Sequence, residues 1–324
     1  MATPPLERRL PLTVIGGFLG AGKTTLLNHL LRASRAQRLA VLVNDFGAIN
    51  IDVELIATSA GDTISLTNGC VCCSIGDDLT AALIRVIEDP IPFDAVVLET
   101  SGVSDPWRVA QVALADPALS LDGVIVLVDA SACLGHAADS LLADSLRRQI
   151  KAADLLVINK TDLIDDSERR RVQAWLTSLT DTTPRFETQQ GVVPMVLLSN
   201  TALVAGGRLG HAQYRDRMEP DNAHHHGLFD TWSTRPTTPL SAEAMRRLLR
   251  EMPPGVLRMK GIVATDEHGW AELQFAGRHG SLRKALSAPA GGAAVVALGM
   301  HDQLPVEALE RAFGPAVSLF EREG

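Results

Sequence analysis

The chain reads as an α/β protein: a doubly wound, mostly parallel sheet domain, then a smaller C-terminal α+β domain. Three observations predict this. In the first two hundred or so residues short apolar runs alternate with amphipathic stretches, the pattern of strands covered on both faces by crossover helices. A glycine-rich loop closes the first run and opens the first helical stretch. Past Gly206 the rhythm changes, first to a polar segment and then to strands grouped between two helices.

The expected strands of the first domain are Leu12–Gly16, Leu39–Val43, Ala95–Leu98, Gly123–Val128, Leu155–Ile158 and Val192–Leu197. Each is short, apolar throughout and bounded by polar residues or glycine. Between them helical periodicity predicts Thr24–Arg35, Asp77–Glu88, Pro106–Ala115, Asp139–Ala153 and Ser167–Leu179. Residues 1–205 are therefore expected to form one domain, 206–226 a linker and 227–324 a second domain. In the latter, strands at Leu228–Ser233, Leu257–Ala264, Trp270–Phe275 and Ala293–Leu298 and helices at Ala242–Glu251 and Pro305–Phe313 suggest an antiparallel or mixed sheet.

Composition narrows the function classes. With 324 residues, 46% hydrophobic and 21% charged, the chain can bury two cores, and the 4% of aromatics makes those cores aliphatic. A net charge of −8 argues against nucleic acid or an anionic membrane surface as partner. No apolar run approaches the roughly 18–20 residues of a membrane span, and the N-terminal MATPPLERRLPLTVIGG makes a poor secretory signal. The expected setting is cytoplasmic.

Gly17-Phe-Leu-Gly20-Ala21-Gly22-Lys23-Thr24 matches the phosphate-binding pattern G-x-x-x-x-G-K-[ST] between a strand and a helix. Glycines let successive N–H groups turn toward phosphate oxygens, and the helix start adds its positive end. Lys23 would meet the β- and γ-phosphates, Thr24 would offer its hydroxyl to Mg²⁺, and Thr25 follows on the same turn. Asn159-Lys160-Thr161-Asp162 comes after another strand. Guanine presents N1–H beside an exocyclic amino group, so the Asp162 carboxylate can accept from both and reject adenine. Asn159 would tie the loop down, the Lys160 stem would cover the base, and Ser199 would add backbone contacts. Glu99, ending a strand ahead of Thr100-Ser101-Gly102, is favoured for the Mg²⁺ shell, with Asp129 as the alternative, and the Gly102 N–H could face the γ-phosphate. Asp45, after the second strand, could orient water, though a plain turn accounts for it equally.

Cys70, Cys72 and Cys73 crowd into one short segment, while Cys133 stands apart in an apolar setting that suits core. Three thiolates leave one coordination place of Zn²⁺ open, which suits a protein that must release metal. A redox pair, a closed structural zinc site and plain packing compete with that reading. His224, His225 and His226 could add imidazoles or could simply be solvated linker.

Taken together, GGFLGAGKTT at Gly16–Thr25, NDFGAINID at Asn44–Asp52, NGCVCC at Asn68–Cys73, ETSGVSDP at Glu99–Pro106, QIKAADLLVINKTDL at Gln149–Leu163 and RMKG at Arg258–Gly261 resemble the CobW-like P-loop metallochaperone GTPases. The resemblance implies Mg²⁺-dependent hydrolysis of GTP to GDP, with delivery of zinc, cobalt or another divalent ion to a metal-dependent client protein. It makes Cys70, Cys72 and Cys73 the transported-metal motif, Glu99 the Mg²⁺ acid and the second domain a partner-recognition module. A second copy of the chain is a further candidate partner. Where many relatives carry glutamates after the second strand, this chain has Val43 and Ala48. A zinc sensor using GTP without turnover and a P-loop ATPase or kinase remain the alternatives.

Overall fold

The structure is a computed structural model describing residues 9–33, 38–44, 63–66, 75–198, 229–289 and 291–315. Two compact units divide between Val193 and Pro194.

The first unit is built on β1 (Leu10–Gly17), buried at every position. It continues through α1 (Lys23–Ala33), β2 (Leu39–Asn44), β3 (Thr63–Leu66), α2 (Ile75–Ile87), β4 (Ala95–Glu99), α3 (Pro106–Ala115) and β5 (Leu119–Asp129). Then come α4 (Cys133–Ala138), α5 (Ala143–Ala152), β6 (Leu155–Asn159), α6 (Asp166–Leu179) and β7 (Arg185–Glu187). The seven strands order as β3-β2-β4-β1-β5-β6-β7, and every pairing is parallel. β4 and β6 are buried along their whole length, which is why they read as unbroken apolar runs. All carboxyl ends share one edge. From β1 the chain moves outward to β2 and β3, returns to β4, and crosses to β5 on the far side. The strand order thus reverses around β1, and ligands of open α/β sheets bind at such a point.

Helix starts follow local chemistry. Asp105 caps α3 by accepting from Trp107 N at 2.9 Å, with Pro106 in the first turn, where a missing N–H costs nothing. Asp165 and Glu168 form a reciprocal capping box on α6.

Three expectations need correction. The run Val192–Leu197 is not a strand: residues Met195–Leu198 form a short helix, α7, while β7 closes the sheet edge. Pro194 has no N–H to give a ladder, and a short buried apolar run does not distinguish strand from helix. The helix expected over Asp139–Ala153 starts only at Ala143, because the Asp139 carboxylate accepts from Leu141 N at 2.8 Å and forms a turn ahead of it, and the short α4 before that turn was not expected. β3 was not expected at all.

The second unit holds β8 (Phe229–Thr234), α8 (Ala242–Arg250), β9 (Val256–Thr265), β10 (Gly269–Ala276), β11 (His279–Lys284), β12 (Ala294–Met300) and α9 (Val306–Phe313). Its sheet, β11-β10-β9-β12-β8, is antiparallel at every pairing. Met245 and Leu249 of α8 and Leu309 and Phe313 of α9 pack with Met259, Val263, Leu273 and Val295 in one core. Burial alternates along β9 and β10, as in a sheet covered on one face. β11 went unrecognised because His279-Gly-Ser-Leu-Arg-Lys284 lacks an apolar alternation; a two-residue turn beginning at Gly277, φ 55°, sets its register.

Candidate functional site

At the carboxyl end of β1 the chain makes a tight loop into α1. Gly17 ends the strand and Gly20 lies at the exposed tip. Ala21 N donates to Phe18 O at 3.1 Å, and Leu26 N closes the first helical turn on Gly22 O at 3.0 Å. Lys23 is buried, its ammonium donating to Gly17 O at 3.1 Å and Phe18 O at 3.4 Å. Its charge is therefore held inside the loop. Thr24 is half-buried and Thr25 exposed on the first turn of α1, which carries no acidic residue. A helix start with a buried ammonium and no carboxylate in its first turn can hold a polyphosphate.

Gly22 must be glycine. Its φ is 102°, and a Cβ there would collide with Asn159 Nδ2. The same Asn159 amide, 2% exposed, donates from Nδ2 to Ala21 O at 2.9 Å and accepts at Oδ1 from Gly191 N at 3.0 Å. One side chain thereby ties the loop after β1, the end of β6 and the loop after β7 into a single wall. Gly191 lies against the backbone of Thr25 and Leu26 at the start of α1. The spacing of the sequence did not reveal it; the only signal was the Gln190-Gly191 pair, which turns the chain after β7.

The loop after β6 turns at Lys160, φ 62°, into a short 3₁₀ turn at Thr161–Leu163. The Thr161 hydroxyl donates to Thr188 O at 3.1 Å and Asp162 is exposed. Lys160 Nζ reaches Asp129 Oδ2 at 2.6 Å, and Asp129 Oδ1 accepts from the N–H and hydroxyl of Ser131 at 2.9 and 2.6 Å. Burial pushes the Asp129 carboxyl upward, yet Lys160 and Ser131 outweigh it and hold it below the usual carboxylate range. Asp129 is thus built into the Lys160 turn.

Glu99 ends β4 beside Ile15 of β1 and is 3% exposed. Beyond it, Thr100 N donates to Ile15 O at 2.9 Å, so the segment stays zipped to β1 for one more residue. A Cβ on Gly102 would lie 2.7 Å from Leu19 N, so only glycine lets the segment close on the phosphate loop. Ser104 N returns to Ser101 O at 3.1 Å, and the Ser101 and Ser104 hydroxyls pair at 2.5 Å. Gln149 and Ser145 of α5 hold this turn from behind; sequence reasoning assigned neither a role.

Lys23, Thr24, Glu99, Gly102, Asn159, Lys160 and Asp162 therefore gather along one sheet edge. Asp45, Cys70, Cys72, Cys73, Ser199, His224, His225 and His226 lie outside the described residues. Cys133 is core, and burial, aided by the Asp129 charge, pushes its thiol up to about 11. Among the described residues, one group of three potential ligands stands elsewhere. In the second unit His301 Nδ1 meets Asp230 Oδ1 at 3.0 Å and Asp302 lies alongside. Donating to the Asp230 carboxylate raises the pKa of His301, and the arrangement reads as a surface ion pair.

Comparison with known proteins fits this geometry. The family model of the CobW/HypB/UreG nucleotide-binding domain matches residues 11–187, and that of the cobalamin synthesis protein cobW C-terminal domain matches residues 229–317. The zinc chaperone CobW of Sinorhizobium sp is 31% identical over 257 residues, covering 70% of this chain and 73% of that protein. The zinc chaperone YjiA of Escherichia coli is 34% identical over 201 residues, covering 59% and 61%. The zinc-regulated GTPase metalloprotein activator 1 of Dictyostelium discoideum is 28% identical over 233 residues, covering 60% and 49%. Among solved structures, the Zn(II)-bound YjiA GTPase of E. coli aligns with TM-score 0.47 at 24% identity, covering 94% of this chain and 98% of that one. No helix among the described residues is long and apolar enough to cross a membrane.

Proposed function

The chain belongs to the CobW/HypB/UreG nucleotide-binding family, and from that premise we propose that it is a GTP-hydrolysing metallochaperone. It binds a divalent metal, zinc first and cobalt second, at Cys70, Cys72 and Cys73 and passes it to a client protein under control of its nucleotide state. Relatives named as zinc chaperones and zinc-regulated GTPases support the cargo. The observation that carries the nucleotide part is the Asn159 bridge, which fixes a phosphate loop and a base-reading loop in one rigid wall.

In this reading the N–H groups of Gly20–Thr25 and the Lys23 ammonium receive the β- and γ-phosphates. The Lys160 stem, anchored through Asp129, covers the guanine, Asp162 accepts from its N1–H and amino group, and Ser199 adds backbone contacts. The Thr24 hydroxyl and the buried Glu99 carboxylate are hard oxygen donors of the kind Mg²⁺ takes, and the ion would neutralise charge on the transferring phosphoryl group. Gly102 senses the γ-phosphate through its N–H, and Asp45 orients the attacking water. Loss of the γ-phosphate frees Gly102 and relaxes the segments beside it, an order-to-disorder switch of known type.

The described elements on either side of the thiol segment belong to the same domain. β3 ends at Leu66, α2 begins at Ile75, and the cysteines fall between. β3 stands three strands from β1 in the sheet, about 14 Å at roughly 4.8 Å per strand. Zinc binding requires thiolates, so affinity falls as pH drops.

Two assays test the proposal. Wild-type protein should turn over GTP in preference to ATP, and Asp162→Ala should erase most of that preference; equal use of both nucleotides by the wild type contradicts guanine recognition. Purified wild type should carry about one zinc per chain, lost in Cys72→Ser; full zinc retained in the variant contradicts the metal assignment.

A further inference from the structure

We infer that Gln149 is a positioning residue for the turn Gly102–Ser104, setting how that turn meets the terminal phosphate; this rests on the GTPase reading above. Gln149 is 1% exposed on α5. Its side-chain N–H₂ spends one hydrogen on Gly102 O at 3.0 Å and the other on Ser104 O at 3.1 Å. Ser145, one helical turn earlier on the same face, donates its hydroxyl to Val103 O at 3.2 Å. Three consecutive carbonyls are thus held by one helix.

A peptide unit is planar, so a fixed carbonyl fixes the N–H that follows it. Ser101 O, bound by Ser104 N, sets the direction of the Gly102 N–H. Gly102 O, bound by Gln149, sets that of Val103. The turn is pinned on both sides of the residue that closes against Leu19 in the phosphate loop. Gln149 Oε1, by contrast, is buried and finds no hydrogen-bond partner among the described residues. An apolar side chain would fill the same space without that cost. What the amide contributes is its donor end.

α5 leads directly into β6, whose last residue is Asn159. The helix that grips the phosphate-sensing turn therefore also feeds the wall that reads the base. A packing role would affect all nucleotides alike, whereas a positioning role separates those with and without a γ-phosphate.

The test uses the full chain with Gln149→Met, similar in length but lacking a donor, and Ser145→Ala at a half-buried position. Affinities for GDP and for a non-hydrolysable GTP analogue are measured side by side. Gln149→Met should weaken the analogue about tenfold relative to GDP, two hydrogen bonds of ordinary strength, and lower kcat by at least as much. Ser145→Ala should move the same ratio about threefold, and it keeps the question answerable should Gln149→Met fail to fold. An unchanged analogue-to-GDP ratio in Ser145→Ala and in folded Gln149→Met overturns the inference. Amide exchange at Gly102–Ser104 without nucleotide judges the clamp separately: faster exchange in the variants supports it and unchanged exchange overturns it. Failure of the wild type to bind guanine nucleotides would instead remove the proposed function.

Discussion

Asn159 uses both ends of its amide on backbone groups of loops distant in sequence, Ala21 O and Gly191 N. Asn159→Ala leaves two buried backbone groups unsatisfied, so we expect a loss of about 1–3 kcal/mol in urea unfolding, with weaker binding of GDP and GTP analogue alike. Unchanged stability would show that water replaces the amide freely. Cys133 gives a second residue-level expectation. A buried thiol pushed up to about 11 is roughly one part in a thousand thiolate at pH 8. Alkylation of the folded protein should therefore spare Cys133, while unfolding exposes it, as peptide mapping would read. His301 gives a pH dependence. Asp230 holds its pKa above the ordinary value, while His301 lowers that of Asp230. The histidine's contribution is fully present below about pH 6.5 and lost as pH rises through its folded pKa. The carboxylate's is present above about pH 3.9 and lost as pH falls through its own folded value. Asp230→Asn should lower the His301 pKa in an NMR titration, and no change would dissolve the pair.

At the scale of elements, the turn after β4 is the piece most sensitive to bulk. Gly102→Ala would drive a methyl into the backbone of Leu19, so the turn must lift from the phosphate loop. The GTP analogue should weaken by about tenfold or more with little change in GDP affinity, as calorimetry would show. Equal loss for both nucleotides would mean general damage to the loop. Elements were legible in the sequence where one force dominated. β1, β4 and β6 are buried on both faces, and α3 announces itself through Asp105-Pro106. The failures have equally local causes. Val192–Leu197 is apolar enough for a strand, but Pro194 denies it a ladder bond and a helix takes the run. β11 pairs with β10 and packs on the core through Leu282 alone, too little for an apolar alternation to show. Asp139 forms a turn where periodicity alone would already start a helix, so α5 begins at Ala143.

For the whole molecule, the parallel sheet matters because it sends every loop of consequence to one edge. The phosphate loop, the base loop and the two ends of the cysteine segment all depend on that edge, with β1 at the point of reversal and β3 three strands away. The residues proposed to touch nucleotide were legible as candidates because phosphate and guanine chemistry demand particular groups after particular strands, as at Lys23, Glu99 and Asp162. Their supports were not. Gln149, Ser145 and Gly191 act through backbone atoms, and such bonds leave no residue pattern of their own. The central claim is that nucleotide state and metal seat are energetically linked, and linkage is reciprocal. The direct measurement is zinc affinity of the full chain with GTP analogue and Mg²⁺, with GDP and Mg²⁺, and without nucleotide. The account predicts affinities that differ between the triphosphate and diphosphate states by roughly fivefold or more, and that converge in Cys72→Ser. Equal zinc affinity in all three states of the wild type would contradict it.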